Sequence, residues 1–147
     1  MKRHLAQSEH FEVVSEYEYV DLVIKKHSLF QSAANVYLGD FYGDPTCALI
    51  SKAEKYVVIG GNGLIIYQLR PPYAAYESDT NDGQYLELGR EPENTWWVES
   101  LYQAPSDQDD NYFRATVTIG DETIFVLINA VTGEHVQLPT PNTSLLP

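Results

Sequence analysis

The residue types that perform chemistry in proteins are present in this chain, but their spacing withholds most of it. The four histidines, His4, His10, His27 and His135, are scattered, and none stands at ligand spacing from another with a cysteine or acid to complete a metal set. The one cysteine, Cys47, lies in the apolar run Cys47-Ala48-Leu49-Ile50, where a thiol behaves as a small hydrophobe. A nucleophilic cysteine needs an exposed, electropositive setting. Gly60-Gly61-Asn62-Gly63 lacks the Lys-Ser or Lys-Thr and the helix N-terminus of a phosphate loop, so it reads as a turn. Asp107-Gln108-Asp109-Asp110-Asn111 opens like a calcium loop, yet Tyr112 stands where glycine must make the bend and Thr118 where a bidentate Glu is required. Asp79-Thr80-Asn81-Asp82-Gly83 fails by register and ends at Arg90. Nucleophile elbow, zinc-peptidase helix motif and dinucleotide fingerprint are all missing, and abundant carboxylates do not make a glycosidase pair. No catalytic residue, metal or cofactor is assigned, and the expectation is a non-enzymatic protein.

One constellation stands out against a merely solvated surface. Tyr73, Tyr76, Tyr85, Trp97 and Tyr112 lie among Glu77, Asp79, Asp82, Glu87, Glu91, Glu93, Glu99, Asp107, Asp109 and Asp110. Aromatic anchors supply buried area at protein interfaces, while charges steer and discriminate. The formal charge of −12 is concentrated: Met1 to Arg70 carries eight acids and seven Lys or Arg, Pro71 to Pro147 thirteen acids and two. Such a field repels phosphate backbones and anionic lipid and attracts basic ligands, so nucleic acid and membranes are disfavoured as partners. Tyr76, Glu77, Asp79, Asp82, Tyr85, Glu87, Glu91, Glu93, Trp97, Glu99, Asp107, Asp109, Asp110 and Tyr112 are the candidate partner-binding residues.

The elements that must position them read as mainly β. Cys47 to Ile50, Tyr56 to Ile59 and Leu64 to Leu69 are short, apolar and rich in Val, Ile and Tyr, and they are punctuated by Lys52-Ala53-Glu54-Lys55 and Gly61-Asn62-Gly63. They predict a three-stranded antiparallel meander, apolar on both faces and therefore covered on both. Asn35 to Leu38, Gln84 to Leu88, Thr95 to Gln103, Phe113 to Ile119, Thr123 to Asn129 and Glu134 to Leu138 read as further strands. Between Glu16 and Ala34 both templates fit. Glu16 to Ile24 alternates as a strand, while Val20, Val23, Ile24, His27, Phe30 and Ala34 share a helical stripe, and a helix packed on the sheet is expected between Val20 and Ala34. In Thr95 to Gln103, alternation puts Trp96 with Val98 and Tyr102 on the buried face and turns Trp97 toward solvent.

Two stretches, ISKAEKYVVIGGNGLIIYQL and IFVLINAVTGEHVQL, resemble one blade of a β-propeller, the second ending like the strand and Thr-Gly turn of quinoprotein-type repeats. A propeller needs about four to eight blades of four strands, which 147 residues do not supply. The likeness is read as shared hairpin chemistry, and no family is assigned.

The fold class expected is a meander sheet or sandwich forming one domain over residues 1–147, with 139–147 a frayed tail. A chain of this length buries roughly 68–70% of its unfolded surface without staples. Met1 to Glu9 turns polar before any signal-like apolar run forms, so a cytoplasmic setting is expected. The function expected is an acidic protein that masks a basic protein partner, such as an immunity or inhibitor protein neutralising a toxin, for instance a nuclease. The rival is a small-molecule or carbohydrate-binding protein, or a hydrolase, with an aromatic and carboxylate pocket. With a partner in hand, surface plasmon resonance should show Trp97→Ala accelerating dissociation and neutralisation of Asp107, Asp109 and Asp110 slowing association in a salt-dependent way.

Overall fold

The computed structural model describes residues 2–25, 34–76, 83–103 and 110–139. Every regular element among them is a strand, and the strands form three antiparallel four-stranded sheets in strict chain order. Sheet A holds β1 (Lys2–Gln7), β2 (Phe11–Glu16), β3 (Tyr19–Ile24) and β4 (Ala34–Asp40). Sheet B holds β5 (Cys47–Ile50), β6 (Tyr56–Gly61), β7 (Gly63–Gln68) and β8 (Tyr85–Leu88). Sheet C holds β9 (Trp97–Gln103), β10 (Tyr112–Ile119), β11 (Glu122–Asn129) and β12 (His135–Leu138).

Sheet B is the middle layer because its sequence is apolar on both faces. Val57, Ile59, Ile65 and Tyr67 pack with Val13, Val20, Leu22 and Leu38 of sheet A. Their neighbours Tyr56, Val58, Leu64 and Ile66 point the other way and pack with Val98, Phe113, Val117 and Ile128 of sheet C. These eight side chains of β6 and β7 are inaccessible to solvent. Burial of each aliphatic one contributes about 1.5–3 kcal/mol. Sheets A and B approach with β1 beside β5, and sheet C lays β9 across β5 and β6.

The meander expected over Cys47 to Leu69 is present, and the short strand expected at Gln84 to Leu88 completes it as β8. The helix expected between Val20 and Ala34 is not formed where the chain is described; residues 26–33 lie outside it. β3 takes the strand alternative because β2 and β4 pair on either side of it, and alternation delivers Val20 and Leu22 together into the core. β1 and β2 are strands that carried no distinct sequence signal. Tyr102 is a second correction. A bulge in β9 opposite Thr116 and Val117 advances the strand by one residue. Leu101 then lies opposite inward-facing Ala115, and Tyr102 lies opposite Arg114 on the other face, 49% exposed. Trp96 and Trp97 are buried and exposed as expected. Of the tail, Pro139 is described and 140–147 lie outside the described residues.

Antiparallel order sends alternate turns to opposite ends of the stack, and polar contacts tie the sheets at each end. At the end carrying Tyr17, Arg90 Nη2 donates to the Asp40 carbonyl (2.8 Å), and its guanidinium stacks on Phe41, 4.9 Å from the ring centre. There also Thr46 Oγ1 donates to the Val98 carbonyl (2.6 Å) and the Gly63 amide to the Trp96 carbonyl (2.7 Å). At the end carrying Glu54, the amide of His10 donates to Glu54 Oε2 (3.0 Å), its ring meets Oε1 (2.6 Å), and Ser8 Oγ donates to the same carboxylate. Gln68 Nε2 there donates to the Ala130 carbonyl (2.8 Å).

Partial burial works against the Glu54 charge, but the hydrogen bonds from His10 and Ser8 outweigh it and bring the carboxyl down to about 2. The same hydrogen bond raises His10 above 6.5. A depressed carboxyl stabilises the fold above its ordinary pKa of 4.5 and loses that contribution as pH falls through the depressed value. A raised histidine contributes fully below 6.5 and loses its contribution as pH rises through the folded value. The urea midpoint of the native chain should therefore exceed that of Glu54→Gln by most between pH 4.5 and 6.5, with the gap narrowing on either side. Packing between sheets B and C gives a second test. A Cβ at Gly60 would stand 2.6 Å from Val98 Cγ1. Gly60→Ala should cost about 1–3 kcal/mol in denaturant unfolding, and adding Val98→Ala should cost less than the two single losses together.

Candidate docking surface

Those of the sequence-predicted binding residues that are described do not share one patch. Glu91, Glu93 and Trp97 stand exposed at the Tyr17 end, in and just after the β8–β9 connection. Glu87, on the edge strand β8, accepts the Tyr76 hydroxyl (3.0 Å) and lies 3.5 Å from Arg90 Nε. Tyr85 is a correction: it is 5% exposed, its hydroxyl donates to the Ala74 carbonyl (2.6 Å), and its ring packs on Tyr67 and Tyr76. It supports the surface and cannot touch a partner. Glu99 is exposed on the outward face of sheet C, where it accepts the Thr118 hydroxyl (3.2 Å). Asp110 and Tyr112 belong to the Glu54 end, where the Asp110 carbonyl accepts the Tyr56 hydroxyl (3.0 Å). Glu77, Asp79, Asp82, Asp107 and Asp109 lie outside the described residues.

What the fold does bring together is an acidic end built from both halves of the chain. The β2–β3 turn, the β4–β5 connection, the β8–β9 connection and the β10–β11 turn all emerge at the Tyr17 end. They and the strand ends beside them carry Glu16, Glu18, Asp40, Asp44, Glu91, Glu93, Asp121 and Glu122, against Lys2, Arg3 and Arg90. Among the described residues the opposite end is closer to balance, with Glu9, Glu12, Glu54, Asp110 and Glu134 against Lys25, Lys52, Lys55 and Arg70. Among the described residues the acidic side chains therefore gather at the Tyr17 end, a grouping by place in the fold rather than by sequence half.

Hydrogen bonds make this end continuous. The Phe41 amide donates to the Glu18 carbonyl (3.0 Å) and the Gly43 amide to Glu18 Oε1 (3.3 Å), fixing the two acidic turns of sheet A against each other. Arg90 then joins Asp40 to the β8–β9 connection, where the Glu91 carbonyl accepts the Thr95 hydroxyl (2.7 Å) and the Gly89 carbonyl accepts the Trp96 amide (2.8 Å). Arg90 is held by these contacts and leaves Asp44, Glu91 and Glu93 without a Lys or Arg partner among the described residues.

Aromatic side chains stand on the same end. Tyr42 is 85% and Tyr17 69% exposed. Tyr17 adopts a left-handed backbone (φ 54°), which turns β2 tightly into β3. The flank continues through Tyr19, Tyr37 and Tyr76, with successive ring centres 6.4 and 6.1 Å apart. Burial, then the hydrogen bond to Asp40, pushes the Tyr37 hydroxyl up to about 12; burial, then Glu87, does the same for Tyr76. Both therefore stay protonated and act as donors. Sequence reasoning missed Tyr17, Tyr42 and Asp44 because it followed acid density along the chain; Glu16-Tyr17-Glu18-Tyr19 was the signal that could have found them.

Other chemistry is sparse among the described residues. No group of three or more His, Cys, Asp or Glu is placed to hold a metal ion, and no helix is long and apolar enough to cross a membrane. A cavity of about 530 Å³ on sheet C, lined by Tyr112, Leu127, Asn129, Thr132, Glu134 and His135 among others, holds one carboxylate. Burial raises the Cys47 thiol above its ordinary value, as for a packed hydrophobe. Comparison with protein-family models, with curated proteins and with solved structures finds no match to this chain.

Proposed function

We propose that this chain is a non-enzymatic binding protein whose Tyr17 end docks and masks a basic protein partner. The observation that carries the reading is the coincidence, on one end of the sheet stack, of eight carboxylates with the most exposed tyrosine of the described chain, Tyr42, and with Tyr17. Tyrosines are rigid anchors that bury large area at low entropic cost and accept lysine and arginine over their rings. The carboxylates around them raise the encounter rate with a cationic surface and reject acidic ones. The end is held by backbone hydrogen bonds and by Arg90, so little ordering is left for the moment of binding. An inhibitor of a cationic enzyme, such as a nuclease-type toxin in the cytoplasm, is the biological form that fits a small acidic protein of this kind.

The test is co-purification from the native source at low and at high salt, followed by kinetics with the captured protein. Combined Tyr17→Ala and Tyr42→Ala should raise the dissociation rate about tenfold or more. Combined Asp44→Asn, Glu91→Gln and Glu93→Gln should slow association several-fold at low salt, with the difference closing at about 0.5 M salt, where the Debye length is only a few ångströms. An acidic captured partner, or an affinity that neither set changes, would overturn the reading.

A further inference from the structure

We infer that two copies of this chain close on each other, sheet A of each against sheet C of the other, into a ring of six four-stranded sheets. The reasoning begins with the unequal treatment of the three sheets. Sheet B is covered on both faces, whereas A and C each turn one face outward, since Val13, Leu22 and Val36 point toward B from one side and Phe113, Ala115 and Val126 from the other. The face that sheet C turns outward is not finished as a solvent face. Tyr102, Arg114, Leu127 and Val136 form one row across its four strands and Thr116, Phe125 and Leu138 the next. Arg114 Nε is buried with no hydrogen-bond partner, beside a cavity of about 310 Å³ lined by Tyr102, Phe125 and Leu138.

The outward face of sheet A offers the complement. Val14, Asp21, Val23 and Tyr37 point outward there, and a smaller cavity of about 170 Å³ is bordered by Glu16, Tyr19, Asp21 and Lys2. Burial raises the Asp21 carboxyl, with Lys2 acting against it and Glu16 adding to it. The other charged pair on this face, His4 and Glu12, is already joined by a hydrogen bond. Sheet C thus presents an arginine short of one acceptor, and sheet A a carboxylate, Asp21, that borders a cavity with Lys2 nearby and no direct ion pair among the described residues, each on an inner strand of its sheet.

Geometry fixes the number of copies. Each sheet places its first strand against its neighbour, β1 on β5 and β9 on β5 and β6, so further sheets added in the same sense run around an axis on the side of the first strands. Rings of this kind close at about four to eight sheets. Three cannot close; two copies supply six, and a two-fold axis makes both new interfaces identical. A face of four strands about 4.8 Å apart and about 20 Å long covers about 380 Å², so the four faces of a closed pair bury about 1,500 Å², the size of a stable interface. This inference does not rest on the basic partner. It leaves the Tyr17 end open, and rotation about that axis sets the two acidic ends side by side on one face of the ring.

Sedimentation equilibrium of the full chain at micromolar concentration should give twice the monomer mass of 16.6 kDa. Arg114→Asp alone and Asp21→Arg alone should each weaken dimerisation at least tenfold, with an unchanged circular dichroism spectrum. Mixing the two variants should restore the dimer, because each interface then pairs one acid with one base again. A native chain that stays monomeric at about 100 μM, that grows into open-ended polymers, or whose mixed variants fail to recover overturns the inference; loss of the basic-partner complex with the dimer intact would overturn only the function proposed above.

Discussion

The structure depends on the two-faced hydrophobicity of β6 and β7. A strand that is apolar on one side needs one covering layer, whereas Tyr56 to Ile59 and Leu64 to Tyr67 are apolar on both and cannot be satisfied by one. Sheet A covers one face and sheet C the other, and both are four-stranded meanders like sheet B. The glycines of sheet B serve the same end. Gly60 lets β9 approach to where Val98 occupies the space a side chain would need, and Gly63 does likewise for the stem of Arg90.

Stacking three sheets leaves their ends as the places where polar chemistry can be concentrated. The core is mainly apolar, so polar links between layers gather at the turns: Arg90 and Asp40 at one end, and Ser8, His10 and Glu54 at the other. Those links hold the turns still, and turns held still can present side chains in fixed relation. The acidic end inherits its order from this, because Glu18 is tied to Gly43 while Tyr17 and Tyr42, on the same two turns, remain exposed. Preorganisation and exposure coexist there because the backbone supplies the contacts and the side chains stay available.

The outward faces of the stack differ from its ends. Sheet A carries a joined pair, His4 and Glu12, with Asp21 beside it in no direct ion pair among the described residues, whereas sheet C carries half-buried apolar residues around an arginine with an unanswered nitrogen. A solvated face normally shows a clean alternation of polar residues. Phe125, Leu127 and Leu138 on the outward side of sheet C depart from it.

The sequence by itself determined that the chain is built of strands, where most of them begin and end, that Trp96 is buried and Trp97 is not, and that the segment around Val57 and Ile65 lies at the centre. Period-two alternation, turn residues and runs of Val, Ile and Tyr are local signals, and they suffice for local structure. Tertiary structure alone decided the remainder. Glu16 to Ala34 carried two periodicities, and over Tyr19 to Ile24 only pairing with β2 and β4 selected the strand. Tyr102 changed face because a bulge in β9 shifts the alternation, which no single-strand pattern records. Tyr85 looked like a surface anchor because it stands among acids, and it became core because β8 pairs with β7 and buries it. The acidic surface was legible as composition but not as place: net charge along the chain pointed to the second half, whereas antiparallel order carries Glu18 and Asp44 to the same end as Glu91 and Glu93, since neighbours in space on a sheet stack are set by turns and register rather than by distance along the chain.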